Sequence, residues 1–147
     1  MKHLVLILIG LIATAAAFGQ SDTVTRLKVE EIYLARDDGN GKAGEQVSEF
    51  ATTDVPIYCI VLLDAPGKVT VKMNFVAVKV TGLKADTKVV TASYVTKDTQ
   101  NRVNFTGRPE GNWPAGRYRV DIFLDGKAAK ALEFDIKSQG RHQQRRQ

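Results

Sequence analysis

The 147-residue chain is long enough for one domain with a core that folds without staples. Its composition, 44% hydrophobic and 25% charged, is that of an ordinary globular protein. The two histidines, His3 and His142, lie at the extreme ends, and Cys59 is the only cysteine. An internal disulfide, a Ser-His-Asp or Cys-His catalytic group and a histidine-based metal site within the fold are therefore excluded together.

Met1-Lys2-His3 is a short basic start, residues 4–12 are apolar apart from Gly10, and Ala13, Ala15, Ala16 and Ala17 form a small-residue exit. This is the layout of a secretory signal peptide, and the apolar run is too short for a transmembrane span. Cleavage after Gly19 is preferred to cleavage after Ala17, and no cysteine lies near either site to carry a lipid. The expected organisation is a signal peptide over 1–19, one domain over 24–137 and a disordered basic tail over 138–147. A periplasmic or secreted protein follows, with no stable membrane insertion after cleavage.

Almost every later segment reads as strand, and none keeps a helical period. The first strand is expected over 24–36, where Leu27, Val29, Ile32 and Leu34 are apolar. The step from Val29 to Ile32 breaks alternation and predicts a bulge near Glu30 and Glu31. The Gly-rich, charged run 37–44 reads as a loop. A short edge-like strand over 47–51 leads into 56–63, which is apolar on both faces, as at the centre of a sandwich. Cys59 lies inside that run, where a small buried hydrophobe is a better reading than a nucleophile.

In the next strand, 68–81, the apolar set Val69, Val71, Met73 and Phe75 gives way to Val76, Val78 and Val80. That change of parity predicts a bulge or a change of sheet. Strands over 87–96, 101–106, 117–124 and 128–136 complete the domain, with Val103 and Phe105 sharing a face. The last two form a hairpin whose apolar stripes are Tyr118, Val120, Ile122 and Leu124 on one strand and Leu132, Phe134 and Ile136 on the other. A regular two-residue turn at Asp125-Gly126 would pair Val120 with Ala131 and send the stripes to opposite faces. The hairpin therefore needs a three-residue loop with left-handed Gly126, or a bulge within 127–130. Seven to eight short strands separated by turn signals predict an all-β fold, an antiparallel β-sandwich.

Residues 113–127, WPAGRYRVDIFLDGK, are the most informative. Pro114 presets the second position of a turn that ends at Gly116, and Trp113 can fold over the end of the core. Tyr118, two residues before Val120, has the spacing of a tyrosine corner, in which the phenol bonds backbone a few residues upstream. On these residues the chain resembles small exported bacterial immunoglobulin-like domains that end in a Trp-Pro-x-Gly-x-Tyr-x-Val and Asp-Gly-Lys hairpin. The resemblance takes in the charged loop after the first strand and Phe50 with Asp54-Val-Pro-Ile-Tyr58, and spans 27–136. One departure is Asn74-Phe75, where that family often has Trp. The resemblance implies structural roles for Trp113, Pro114, Gly116, Tyr118, Val120, Asp125 and Gly126. It also implies an accessory or binding module of the cell envelope.

Catalytic readings fare poorly. Asp37, Asp38, Asp121 and Asp125 fall on expected loops, strand exteriors and turns, so an acid–base pair has no scaffold. With Gly41 at the glycine position of an EF-hand, Asp38 and Asn40 take the third and fifth places. Arg36 and Val47 then occupy the first and twelfth, where carboxylates are required. A looser site on Asp37, Asp38 and Asn40 is weaker than a solvated turn. The sequon at Asn104 lies within a strand, and no Gly-rich segment leads into a helix to cradle phosphate.

The expectation is therefore a non-enzymatic protein without cofactor or metal. It contacts an exported protein or envelope polymer through a strand edge or loops bearing Asp37, Asp38, Asn40, Arg108, Glu110 and Asn112. The alternative is an inhibitor or chaperone-like partner of an exported enzyme, inserting residues 37–45 or 108–112 into a cleft. Of the 21 Lys and Arg, Lys2, Arg141, Arg145 and Arg146 lie outside 20–140, which leaves 17 against 16 acids. A body at +1 argues against nucleic acid and assigns weak contact with anionic surfaces to the tail arginines.

Overall fold

The computed structural model describes residues 26–140, so the expected leader and the tail arginines lie outside the described residues. No residue in this span is helical. Nine strands follow in order: β1 (Val29–Asp37), β2 (Ala43–Gln46), β3 (Glu49–Ala51), β4 (Ile57–Leu63), β5 (Thr70–Val80), β6 (Lys88–Val95), β7 (Arg102–Gly107), β8 (Gly116–Leu124) and β9 (Lys127–Lys137). They form two sheets, β2-β1-β4-β7 and β3-β9-β8-β5-β6.

The ninth strand is β2, which lies partly within the run read from sequence as loop. Its residues, Ala43-Gly-Glu-Gln46, have no strand pattern of their own and are held by pairing with the end of β1. The segment expected over 47–51 shortens to β3, and it pairs with β9 in parallel rather than antiparallel fashion. The sandwich is therefore antiparallel except at that one edge.

Irregularities in β1, β5 and the last hairpin reconcile the apolar pattern with one core. The β1–β4 register shifts between Val29 and Glu31, where the alternation breaks. In β5 the inward stripe runs through Val71, Met73, Phe75 and Ala77 and resumes at Val80, with a register shift between Ala77 and Lys79 against β8. The strand stays in one sheet, and its register also shifts against β6 between Phe75 and Val76, where the side-chain pattern places the irregularity; Val76 is buried outside the core stripe. In the last hairpin, Asp125 and Gly126 both have positive φ, 48° and 80°, and form a two-residue turn. Ala129 is then left unpaired between Phe123↔Ala128 and Ile122↔Lys130. Val120 thereby pairs with Leu132, and both stripes meet one core.

That core is aromatic towards one end and aliphatic towards the other. Phe75 stands edge-on to Trp113, with centroids 5.6 Å apart, and to Phe134 at 5.5 Å. Tyr118 stacks on Phe134 at 5.5 Å. Leu63, Val69, Val71 and Leu124 close the opposite end. The Tyr118 hydroxyl donates to the Pro114 carbonyl at 2.7 Å, so the turn is tied to the strand that leaves it. Tyr118→Phe keeps the ring and loses this bond, so we expect a loss of about 1 kcal/mol in urea melts. An unchanged midpoint would mean that the corner bond is dispensable.

Candidate binding site

The β1–β2 loop and the β7–β8 connection lie at the same end of the sandwich, because β1 and β7 both flank β4 antiparallel. The Arg108 charge reaches Asp37 there, while Arg108, Glu110 and Asn112 are exposed. The structure thus brings the two predicted loops together. Their carboxylates, however, are already engaged. Asp37 Oδ1 accepts the N–H groups of Gly39 (2.7 Å) and Gly41 (3.4 Å), and its Oδ2 accepts the Tyr58 hydroxyl at 2.8 Å. Asp38 Oδ1 accepts the N–H groups of Asn40 (2.7 Å) and Lys42 (3.1 Å). Oxygens aimed at four backbone donors are spent on folding the loop rather than on a cation. Among the described residues, no group of three or more His, Cys, Asp or Glu gathers in a way that could hold a metal.

The Tyr58 hydrogen bond, reinforced by the Gly39 N–H, holds the Asp37 carboxyl below its ordinary value. A depressed carboxylate contributes stability that is present above the unfolded pKa and lost as pH falls through the folded one. We therefore expect Asp37→Asn to be less stable than the native chain at pH 7, with the difference shrinking as pH is lowered below 4. Parallel denaturation midpoints across that range would show that the carboxylate contributes nothing.

The other potential nucleophile is sealed. Cys59 is fully buried at the centre of β4, and burial pushes its thiol up to about 12.

A different feature lies at the opposite end. On the flank shared by β1 and β9, β2 pairs only with the last part of β1 and β3 only with residues 135–137 of β9. Arg36 fastens this covered half through Asp54 (3.2 Å), Glu45 (3.2 Å) and the Glu49 carbonyl (3.0 Å). The other half stays open as a groove of about 910 Å³. Leu27, Val29, Val69 and Leu124 supply its apolar surface, and Arg26, Lys28, Lys68 and Lys127 its charge. Asp125 is the one acid lining it among the described residues, and its Oδ1 is taken by the Thr70 N–H at 3.0 Å.

The near-neutral sum of the body thus does not prevent four cations from lining one groove on the sandwich. Sequence reasoning missed the groove because its cations come from separate segments that meet only through topology. The available signal was Lys-Ala-Ala-Lys-Ala over 127–131, a strand start with small side chains and no apolar stripe.

No family model matches the chain, and no curated protein matches it. Among solved structures, an immunoglobulin-like protein from Pseudomonas aeruginosa superposes with a TM-score of 0.50 at 11% identity. The match covers 76% of this chain and 97% of that one. The fold is that of an immunoglobulin-like domain. The alkylpurine DNA glycosylase AlkC of Pseudomonas fluorescens, bound to DNA containing an abasic-site analogue, matches with a TM-score of 0.47 and 17% identity. That match covers 76% of this chain but spans only 30% of the glycosylase's length. In the immunoglobulin-like sandwich described here, Trp113, Tyr118 and Val120 belong to the core, and Asp125 and Gly126 to the last turn.

Proposed function

We propose that the chain is an exported, non-enzymatic binding or scaffolding module of the cell envelope that contacts a protein or polymer through the open half of its β1–β9 flank. The observation that carries this reading is the contrast between that flank and the rest of the molecule. Elsewhere the reactive groups serve the fold: Cys59 is buried, and Asp37 and Asp38 bond their own loop. At the flank, four cations line a groove floored by half-buried Leu27 and Val29 and buried Val69 and Leu124, and Asp125 is the one acid lining it among the described residues. A concave surface whose charge is mostly of one sign is suited to a partner of the opposite sign. The signal-like residues 1–19 support the envelope as its place.

The alternative in which the Gly-rich loop enters an enzyme's cleft has less support. That loop is closed by the Asp38 N–H bonding the Lys42 carbonyl at 2.9 Å, and Asp37 and Asp38 each accept hydrogen bonds from its backbone. The test is capture of envelope components on the immobilised protein, comparing the native chain with a Lys28→Glu/Lys68→Glu/Lys127→Glu variant and with a Glu110→Ala/Asn112→Ala variant. A specific component lost only with the flank variant supports the reading. Loss only with the loop variant, or no retained component at any ionic strength, overturns it.

A further inference from the structure

We propose that the basic groove receives an acidic, extended polypeptide segment of a partner, which adds as a strand to the open edge of β9. This rests on the binding-module reading and names the chemistry of its ligand. Backbone geometry supplies the first half of the case. Asp135 donates its N–H to the Ser48 carbonyl, and Thr52 donates to the Lys137 carbonyl, so residues 135 and 137 face β3. With a period of two along a strand, Glu133 and Ala131 turn their N–H and C=O groups to the same side. Among the described residues, no strand pairs with that side of β9 beyond β3, which pairs only with residues 135–137. An unpaired row of this kind is a template for an added strand.

Side chains supply the second half. Residues 127–131 are exposed, and Ala128, Ala129 and Ala131 are too small to screen the backbone. Arg26, Lys28 and Lys68 line the groove together with Lys127. An incoming strand places alternate side chains towards the groove, where carboxylates meet these cations and small apolar residues meet Val29, Val69 and Leu124. The charge also sets the register. Glu133 on β9 and Glu30 on β1 lie beyond the groove lining, so they repel an acidic segment that slides away from the Asp125-Gly126 turn. Lys130 leaves this edge and donates to the Glu30 carbonyl at 2.8 Å, a contact between β9 and β1.

The experiment measures fluorescence anisotropy of a labelled ten-residue peptide alternating Glu or Asp with Val or Thr, titrated with the purified protein. A peptide with Lys in place of every acid is the control. The acidic peptide should bind and the basic one should not. Raising salt from 50 to 300 mM should weaken binding by at least about tenfold, since several exposed charge pairs are screened. Lys28→Glu/Lys68→Glu/Lys127→Glu should abolish binding. Ala131→Pro, which removes an edge N–H, should weaken it by about tenfold while all four cations remain. Circular dichroism establishes that each variant is folded. If Ala131→Pro binds as well as the native chain, or if anionic vesicles compete as effectively as unlabelled peptide, attraction is merely electrostatic and the strand-addition proposal fails. If no peptide binds while an envelope component is still captured through the flank, the ligand class is wrong and the binding-module reading stands.

Discussion

Trp113→Ala is expected to lower unfolding free energy by about 4 kcal/mol, enough to leave the domain marginal at growth temperatures. The indole is buried and joins two partners at once, edge-on to Phe75 and, at 5.8 Å, edge-on to Tyr118. Its Nε1 has no hydrogen-bond partner among the described residues, so truncation forfeits packing rather than a bond. The backbone N–H of residue 113, which donates to the Thr52 carbonyl at 3.0 Å, survives the substitution. The cost should therefore appear as a lower midpoint in urea with little change in slope. A loss under 1 kcal/mol would mean that the ring closes the core without supporting it.

Gly107→Ala should cost about 3 kcal/mol for the opposite reason, excess volume. Gly107 ends β7 directly beneath the Phe75 ring, and an added methyl would occupy the space of the ring's Cε2 and Cδ2 atoms. Phe75 cannot swing aside, because it is fully buried between Trp113 and Phe134. The backbone of residue 107 pairs normally with Ile57, so neither strain nor a lost ladder bond enters the comparison. Combining Gly107→Ala with Phe75→Leu should recover part of the loss, since a branched aliphatic side chain vacates the ring edge. If the double variant is as unstable as the sum of the two single ones, the residues do not compete for space and the explanation fails.

The strands could be read from sequence where burial imposed a period. β4, β7 and β8 alternate or saturate with apolar residues, and the structure places them in sheet interiors or against the core. That the last hairpin could not be a regular two-residue turn followed from parity alone, because two apolar stripes had to reach one core. It was unclear which of two devices would take its place, since both restore the same parity. β2 was invisible because its order comes from β1, and the parallel pairing of β3 could not be inferred from three residues. The same limit applied to the binding surface. Asp37 and Asp38 were conspicuous as charged loop residues, and their hydrogen bonds account for that composition without a ligand. The basic groove, in contrast, depends on β1 and β9 becoming neighbours, and net charge summed over a chain carries no information about position.

The placement of Cys59 gives this domain a built-in reporter of its own opening. The thiol lies midway along β4, with β1 paired on one side through Leu34 and β7 on the other through Phe105. Local fraying at strand ends does not reach it, so a thiol-specific reagent gains access only when the two sheets part. For a domain of ordinary stability, labelling should run roughly 10⁴ to 10⁷ times slower than for a free thiol, by a factor set by the opening equilibrium. The native chain, Trp113→Ala and Gly107→Ala can then be ranked by labelling half-life in buffer, without denaturant and without introducing a probe.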